Sequence, residues 1–233
     1  MCLKRITNMI IETMGRRRAP ITYTKSLLHF EGDVGSTTMT DETGKTWTPY
    51  GAYTYISDAV YKFGSASARI SAPSGARYIY CSHDDFLYGT DSFTIDFWIY
   101  INATFYLFSQ GGIAVSGGFG IQSGSGNKLI FWHDNVSTIT SITYTYNTLN
   151  HIAIIGNGAS DGNRNIKVYL NGVLGLTSTY DYNITNTNIY IGANGDYIVS
   201  LVYSGYVDEF RCSKGIERWT SDFTPPTSAY TLD

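Results

Sequence analysis

The side chains best equipped for chemistry in this chain are nineteen carboxylates, four histidines (His29, His83, His133, His151) and three cysteines (Cys2, Cys81, Cys212). Their spacing argues against catalysis. Retaining hydrolysis of a glycoside needs two carboxyl groups roughly 5–5.5 Å apart across the sugar. Asp208 and Glu209 are adjacent, so in a regular strand they point to opposite sides, and Asp84-Asp85 belongs to a loop. The histidines show neither H-x-x-x-H spacing nor a partnership with Ser or Asp, and His29 and His151 lie inside strand-like runs as structural residues. The cysteines are odd in number, far apart and without a C-x-x-C pair, which fits neither a disulfide framework nor a zinc site. Cys81 and Cys212 read as small core residues with free thiols. No catalytic residue is expected.

Binding chemistry is better represented. A sugar site wants a flat aromatic for the ring face and amide or carboxylate groups for the hydroxyls. Trp132, His133, Asp134 and Asn135 come together at a strand end, with Tyr144 and Tyr146 expected to flank them. The competing reading is that an aromatic content of 15% fills a core and decorates a stable surface. The other candidate is the segment 1–25. Ile6, Met9 and Ile10 have a weak helical spacing, and Arg16-Arg17-Arg18 follows before Ala19-Pro20. This reads as an arm that docks on a partner, its arginines pairing with acidic groups there. The alternatives are a tail without fixed structure, or sequence upstream of a start at Met14.

Composition narrows the classes. A net charge of −3 provides no global attraction to nucleic acid or anionic membranes, and the one basic cluster has no interleaved aromatics. No apolar run reaches the ~18–20 residues of a membrane span. The patch Met9-Ile10-Ile11 is interrupted by Asn8 and Glu12, too short and polar for a signal-peptide core. A product made in a host cytoplasm, with no membrane insertion, is expected.

The elements that must position these residues are strands. In Ser92–Ile101 the apolar Phe93, Ile95, Phe97, Ile99 and Ile101 alternate with Thr94, Asp96, Trp98 and Tyr100. A period of two predicts a central strand with one buried face and one aromatic, partly wet face. Ile166-Lys167-Val168-Tyr169-Leu170 ends in Asn171-Gly172, the dipeptide of a tight hairpin turn. In Gly205–Arg211 the apolar phase slips, because Val207 and Phe210 share a face only if one extra residue is inserted. A bulge is therefore predicted at Asp208-Glu209, aiming one carboxylate inward or toward a loop. Many short strands with turn signals every ten or so residues predict an all-β, two-layer antiparallel β-sandwich over 26–233, behind the arm 1–25.

Six segments in order then resemble a known family. Leu27–Gly32, Lys62–Ala66, Phe93–Trp98, His151–Ala153, Val168–Gly172 and Val207–Arg211 resemble the concanavalin A-like lectin/glucanase (laminin-G-like) jelly roll over roughly 26–228. The ending Gly215–Pro226 is similar to versions in bacteriophage structural proteins. The resemblance implies several expectations. One structural Ca²⁺ would sit at Glu31, Asp33 and Asp208, acidic positions of the first and last strands, since such ions want six to eight oxygens. The alternative there is that Asp208 hydrogen-bonds neighbouring backbone and no metal binds. Glucanases of this fold carry Glu-x-Asp-x-x-Glu on one strand, and this chain has no such run. The functional expectation is a non-catalytic virion structural or decoration protein. It would be attached to capsid or tail proteins through the arm, display the jelly roll toward host or mucosal glycans, and leave homo-oligomerisation open. A bacterial carbohydrate-binding or adhesion module is the second reading and a glycoside hydrolase the third.

Overall fold

A computed structural model describes residues 22–71, 75–159, 162–196 and 204–233. The arm residues Ile6, Met9, Ile10 and Arg16–Arg18 lie outside them. In chain order the strands are β1 (Thr24–Leu28), β2 (Thr48–Tyr50), β3 (Thr54–Ser57), β4 (Ser67–Ser71), β5 (Tyr78–Ser82), β6 (Phe93–Tyr100), β7 (Tyr106–Gln110), β8 (Phe119–Ser123), β9 (Lys128–His133), β10 (Val136–Thr143), β11 (Leu149–Gly156), β12 (Ile166–Leu170), β13 (Val173–Ser178), β14 (Asn188–Ile191) and β15 (Ser204–Lys214). They form two antiparallel sheets. The eight-stranded sheet runs β13-β12-β11-β6-β15-β4-β3, with β1 also paired to β15, and the seven-stranded sheet runs β10-β9-β8-β7-β14-β5-β2. β1 starts at Thr24, so the sheet takes in two residues placed by sequence in the arm.

The core lies between the sheets and follows from the period-two runs. Phe93, Ile95, Phe97 and Ile99 of β6 are fully buried, and their rings meet those of the other sheet, with Phe97–Phe108 at 6.2 Å and Phe93–Phe119 at 5.7 Å between centroids. At roughly 1.5–3 kcal/mol for each large apolar side chain, this strand organises the sandwich. Cys81 and Cys212 are buried free thiols within the same core.

The second face of β6 departs from expectation. Thr94, Asp96 and Trp98 are buried, not partly wet. The cause is the segment after β15, which crosses the outside of the eight-stranded sheet. Trp219 and Phe223 pack on Ala153, Ile155 and Tyr169, and Tyr230 packs on Leu27 and Trp98. Asp233 then accepts hydrogen bonds from the Thr24 N–H at 3.0 Å and from Arg218 Nη2 at 2.8 Å, fastening the end of the strap.

Local geometry agrees with the turn and bulge signals. Asn171 and Gly172 have φ of 51° and 82°, and Asp134 and Asn135 have 45° and 61°, the positive values a two-residue hairpin turn requires. On β15, the pairs Asp208↔Trp98 and Arg211↔Asp96 set three steps of β15 against two of β6, and Glu209 has φ of 52°. The extra residue puts both Val207 and Phe210 in the core. It sits where β15 stops pairing with β4, at Val207↔Ala68, and starts pairing with β1, at Leu28↔Phe210.

Candidate functional site

The hairpin β9–β10 carries the aromatic cluster singled out by sequence. Strand alternation sends Leu129 and Phe131 into the core and Trp132 outward, where its Nε1 donates to Gln122 Oε1 at 2.9 Å. His133 takes the opposite side and stacks on the Tyr180 ring at 4.1 Å with 17° between planes. Burial pushes its pKa down, while the Asp134 carboxylate beside it acts the other way. Asp134 and Asn135 form the exposed tip.

Tyr144 and Tyr146 do not join them. β10 runs back along β9, so Tyr144 donates its N–H to Asn127 O at 2.7 Å, at the other end of the hairpin. Five residues of strand, about 16 Å, separate that end from the tip. Tyr144 is a buried core residue, and the exposed Tyr146 donates its hydroxyl to Asn102 O. Sequence proximity through a turn had been read as spatial proximity, but a hairpin keeps together only residues equidistant from its turn.

Trp132 instead belongs to a row across the outside of the seven-stranded sheet. Residues opposite one another share a face, and the register runs Trp132↔Gly120, Gly120↔Ser109, Ser109↔Tyr190, Tyr190↔Tyr80 and Tyr80↔Thr48. The middle is covered. A Cβ on Gly120 would stand 2.9 Å from Ile113 Cγ2, and Ser109 Oγ donates to Ala193 O at 3.1 Å. The two ends are open. One end holds Trp132. The other holds four tyrosines with ring centroids 4.8 Å (Tyr50–Tyr78), 5.7 Å (Tyr78–Tyr190) and 5.0 Å (Tyr80–Tyr190) apart. Tyr50, on the edge strand β2, is 53% exposed. Sequence reading missed this group because it comes from three strands, though Tyr78-x-Tyr80 alternation was its visible trace.

The acidic positions expected to hold calcium are engaged otherwise. Glu31 Oε1 accepts the Ser65 N–H at 2.9 Å, and its Oε2 accepts the Ser65 hydroxyl at 2.6 Å. Asp208 Oδ2 accepts the N–H groups of Lys62 at 2.6 Å and Phe63 at 3.2 Å, while its Oδ1 accepts the Glu209 N–H at 2.9 Å. Asp33 is exposed and shares none of these bonds. Among the described residues no group of three or more His, Cys, Asp or Glu stands close enough to hold a metal ion. This donor set does not fit a cation that wants six to eight oxygens. The two carboxylates instead clamp the Lys62–Ala66 turn by its amides.

A buried ionisable cluster lies beneath the strap. Arg211 makes a bidentate pair with Asp96, Nε at 3.0 Å and Nη2 at 2.9 Å. His151 Nε2 stands 3.0 Å from the Tyr230 hydroxyl and 3.7 Å from Asp96 Oδ2. Glu209 lies 2.8 Å from His29 Nδ1 and accepts the Tyr230 N–H at 2.7 Å. Although burial pushes it up, the Asp96 carboxyl is held at about 2 by Arg211 and His151. Asp96 and His151 have no solvent exposure, so no substrate reaches them. Asp208 and Glu209 are likewise buried, each carboxylate occupied by hydrogen bonds.

Comparisons with known proteins bear on this arrangement. The family model described as the concanavalin A-like lectin/glucanases superfamily matches residues 73–215. A search of curated protein sequences found no match. Among solved structures, the binding domain of Paraclostridial Mosquitocidal Protein 1 superposes with a TM-score of 0.58 at 18% identity, covering 82% of this chain and 49% of that one. Botulinum neurotoxin type C, whose cell entry is dependent upon interaction with two ganglioside molecules, gives 0.57 at 15% identity, covering 84% and 49%. Domain 4 of AbnA, a GH43 extracellular arabinanase from Geobacillus stearothermophilus, in complex with arabinotriose, gives 0.55 at 17% identity, covering 83% and 93%. The chain thus spans about half the length of the two toxin chains and nearly all of the arabinanase domain. At these identities the likeness is one of fold.

Proposed function

The chain belongs to the concanavalin A-like lectin/glucanases superfamily, and from that footing we propose that it is a non-catalytic, lectin-like protein of a bacteriophage particle that contacts host or mucosal glycans. The observation that carries the glycan part is the aromatic row with two open ends, Trp132 at one and the tyrosines at the other, on the sheet face away from the Trp219–Tyr230 strap. Aromatic rings present apolar faces to sugars, and the tyrosine hydroxyls remain hydrogen-bonding groups. The ganglioside-dependent neurotoxin and the arabinotriose-bound arabinanase domain support the same reading. The non-catalytic part is supported by the carboxylates. The two described cavities contain at most one each, where a retaining hydrolase requires a facing pair. Polysaccharide turnover by the purified protein would overturn that part.

The particle role rests on the phage-like ending Gly215–Pro226 and on the arm 1–25 as an anchor to a capsid or tail partner, many copies supplying avidity for weak glycan contacts. It predicts that the chain is found among the proteins of purified virions and is lost from them when residues 1–21 are deleted. The glycan role predicts that the full chain binds on a glycan array and that Trp132→Ala removes most of the signal. An array blank for the full chain would end it. A bacterial carbohydrate-binding module is the second reading, favoured by the near-complete overlap with the arabinanase domain. Absence from virions together with array binding would select it.

A further inference from the structure

The end of the sandwich that carries the Asp134-Asn135 turn also holds a cavity of about 270 Å³, lined by Asn163, Arg164, Asn165, Thr177, Thr179 and Asp181 among others. It is built from the connection after β11, the end of β13 and the stretch that follows it. Tyr180 joins it to the hairpin, since its ring stacks on His133 while the next residue, Asp181, faces the cavity. Arg164 is held in place by two bonds, Nε donating to Tyr182 O at 3.1 Å and Nη2 pairing with Asp181 Oδ1 at 2.7 Å. Asn165 is fixed by its backbone N–H on Asn157 Oδ1 at 3.0 Å and by its amide nitrogen on Asn163 O at 3.3 Å. Its Oδ1 is buried and has no partner. That oxygen is closed off from the cavity, so a ligand would meet the exposed groups of the lining.

The lining decides what fits. Among the described residues the lining has hydroxyls, amides and one ion pair but no aromatic or large aliphatic side chain, so an apolar ligand gains little. Asp181 cancels the charge of Arg164, so a phosphate has no net attraction. A polyhydroxylated ring satisfies both kinds of group, its hydroxyls donating to Asp181 and accepting from Arg164 and the threonines. The volume lies just under the ~300–1,000 Å³ of sites for drug-sized ligands, which suits one ring and not a chain of them.

We infer that this cavity seats a single, terminal sugar ring, separate from the stacking contact at Trp132; the inference rests on the glycan-binding reading. The test is an NMR titration of the full chain with the methyl glycosides of glucose, galactose, arabinose and N-acetylglucosamine, following the Asn163 and Asn165 side-chain amides, Arg164 Nε–H and the Trp132 indole. One of these sugars is expected to shift the Asn165 and Arg164 signals saturably. Asp181→Ala and Thr179→Val should each weaken binding about tenfold, ~1.4 kcal/mol, with unchanged circular dichroism. Thr179 is exposed, so its variant separates lost contact from lost folding. Array binding by the full chain without cavity shifts overturns the ring seat and leaves the glycan reading standing. No array binding and no shifts overturn both.

Discussion

The outer face of the eight-stranded sheet carries Asp96, Arg211, His151 and, at the bulge, Glu209, all buried beneath the chain's last nineteen residues. The outer face of the seven-stranded sheet carries Trp132 and the tyrosines and, among the described residues, is covered only across its middle. One face has charge and a lid; the other has aromatic rings and solvent. The difference teaches how a two-layer sandwich is specialised. A charged pair on a sheet face has little energetic value in water, but once desolvated it locks whatever covers it, because the uncovered or unpaired state is costly. An uncharged aromatic face tolerates water and remains available to a ligand.

The sharpest way to break this comparison is to remove one charge from the sealed face. Arg211→Met leaves Asp96 buried without its cation and should destabilise the fold by about 3–5 kcal/mol in urea unfolding. A loss under about 1 kcal/mol would mean that the strap opens readily and that the two faces are alike. Next in size is pH. Burial, with the Glu209 charge behind it, pushes Asp208 up to about 7 against its three N–H bonds. Its contribution to stability is thus full below the ordinary carboxylate range and is lost as pH rises through about 7. Asp96, held near 2, contributes in the opposite sense, its stabilisation being present above ~4 and lost as pH falls toward 2. Stability should therefore peak near pH 4 and fall from there to about pH 7 on the alkaline side, with each limb worth on the order of a few kcal/mol. Asp208→Asn should flatten the alkaline limb alone; an unchanged limb would assign it to another group.

Phe223→Ala, which strips the ring stacked on Trp219 at 4.0 Å, should cost about 2 kcal/mol, less than full core truncations because the ring is partly exposed. Tyr50→Ala on the open face should change stability by no more than about 0.5 kcal/mol. Equal losses at the two positions would erase the distinction between lid and platform. The smallest expected effect is that of a chelator. With Glu31 and Asp208 bonded to the Lys62–Ala66 turn, EDTA and added calcium should leave the melting temperature unchanged, whereas a calcium-dependent rise would show that those carboxylates exchange amides for a cation.

Legibility from sequence followed the range of the interaction. The alternation in Phe93–Ile101, the Asn171-Gly172 turn and the phase slip at Asp208-Glu209 were readable because each is a constraint among neighbours: side-chain period, positive φ, one inserted residue. The wet face expected for Trp98 was wrong because its cover arrives from Tyr230, far along the chain. Tyr144 and Tyr146 were assigned to the hairpin tip by counting residues, where the antiparallel return carried them to the far end.

By itself, then, the order of residues determined the all-β class, the central strand, the turns and the bulge, since backbone sterics and a period of two operate over a handful of positions. Only the tertiary structure decided which sheet face the tail would seal, which carboxylates would meet amides, and which tyrosines would stand in one row. Those outcomes depend on strand order and register. Asp96 and Arg211, for instance, become partners because β6 and β15 lie side by side, and nothing local to either residue encodes that pairing.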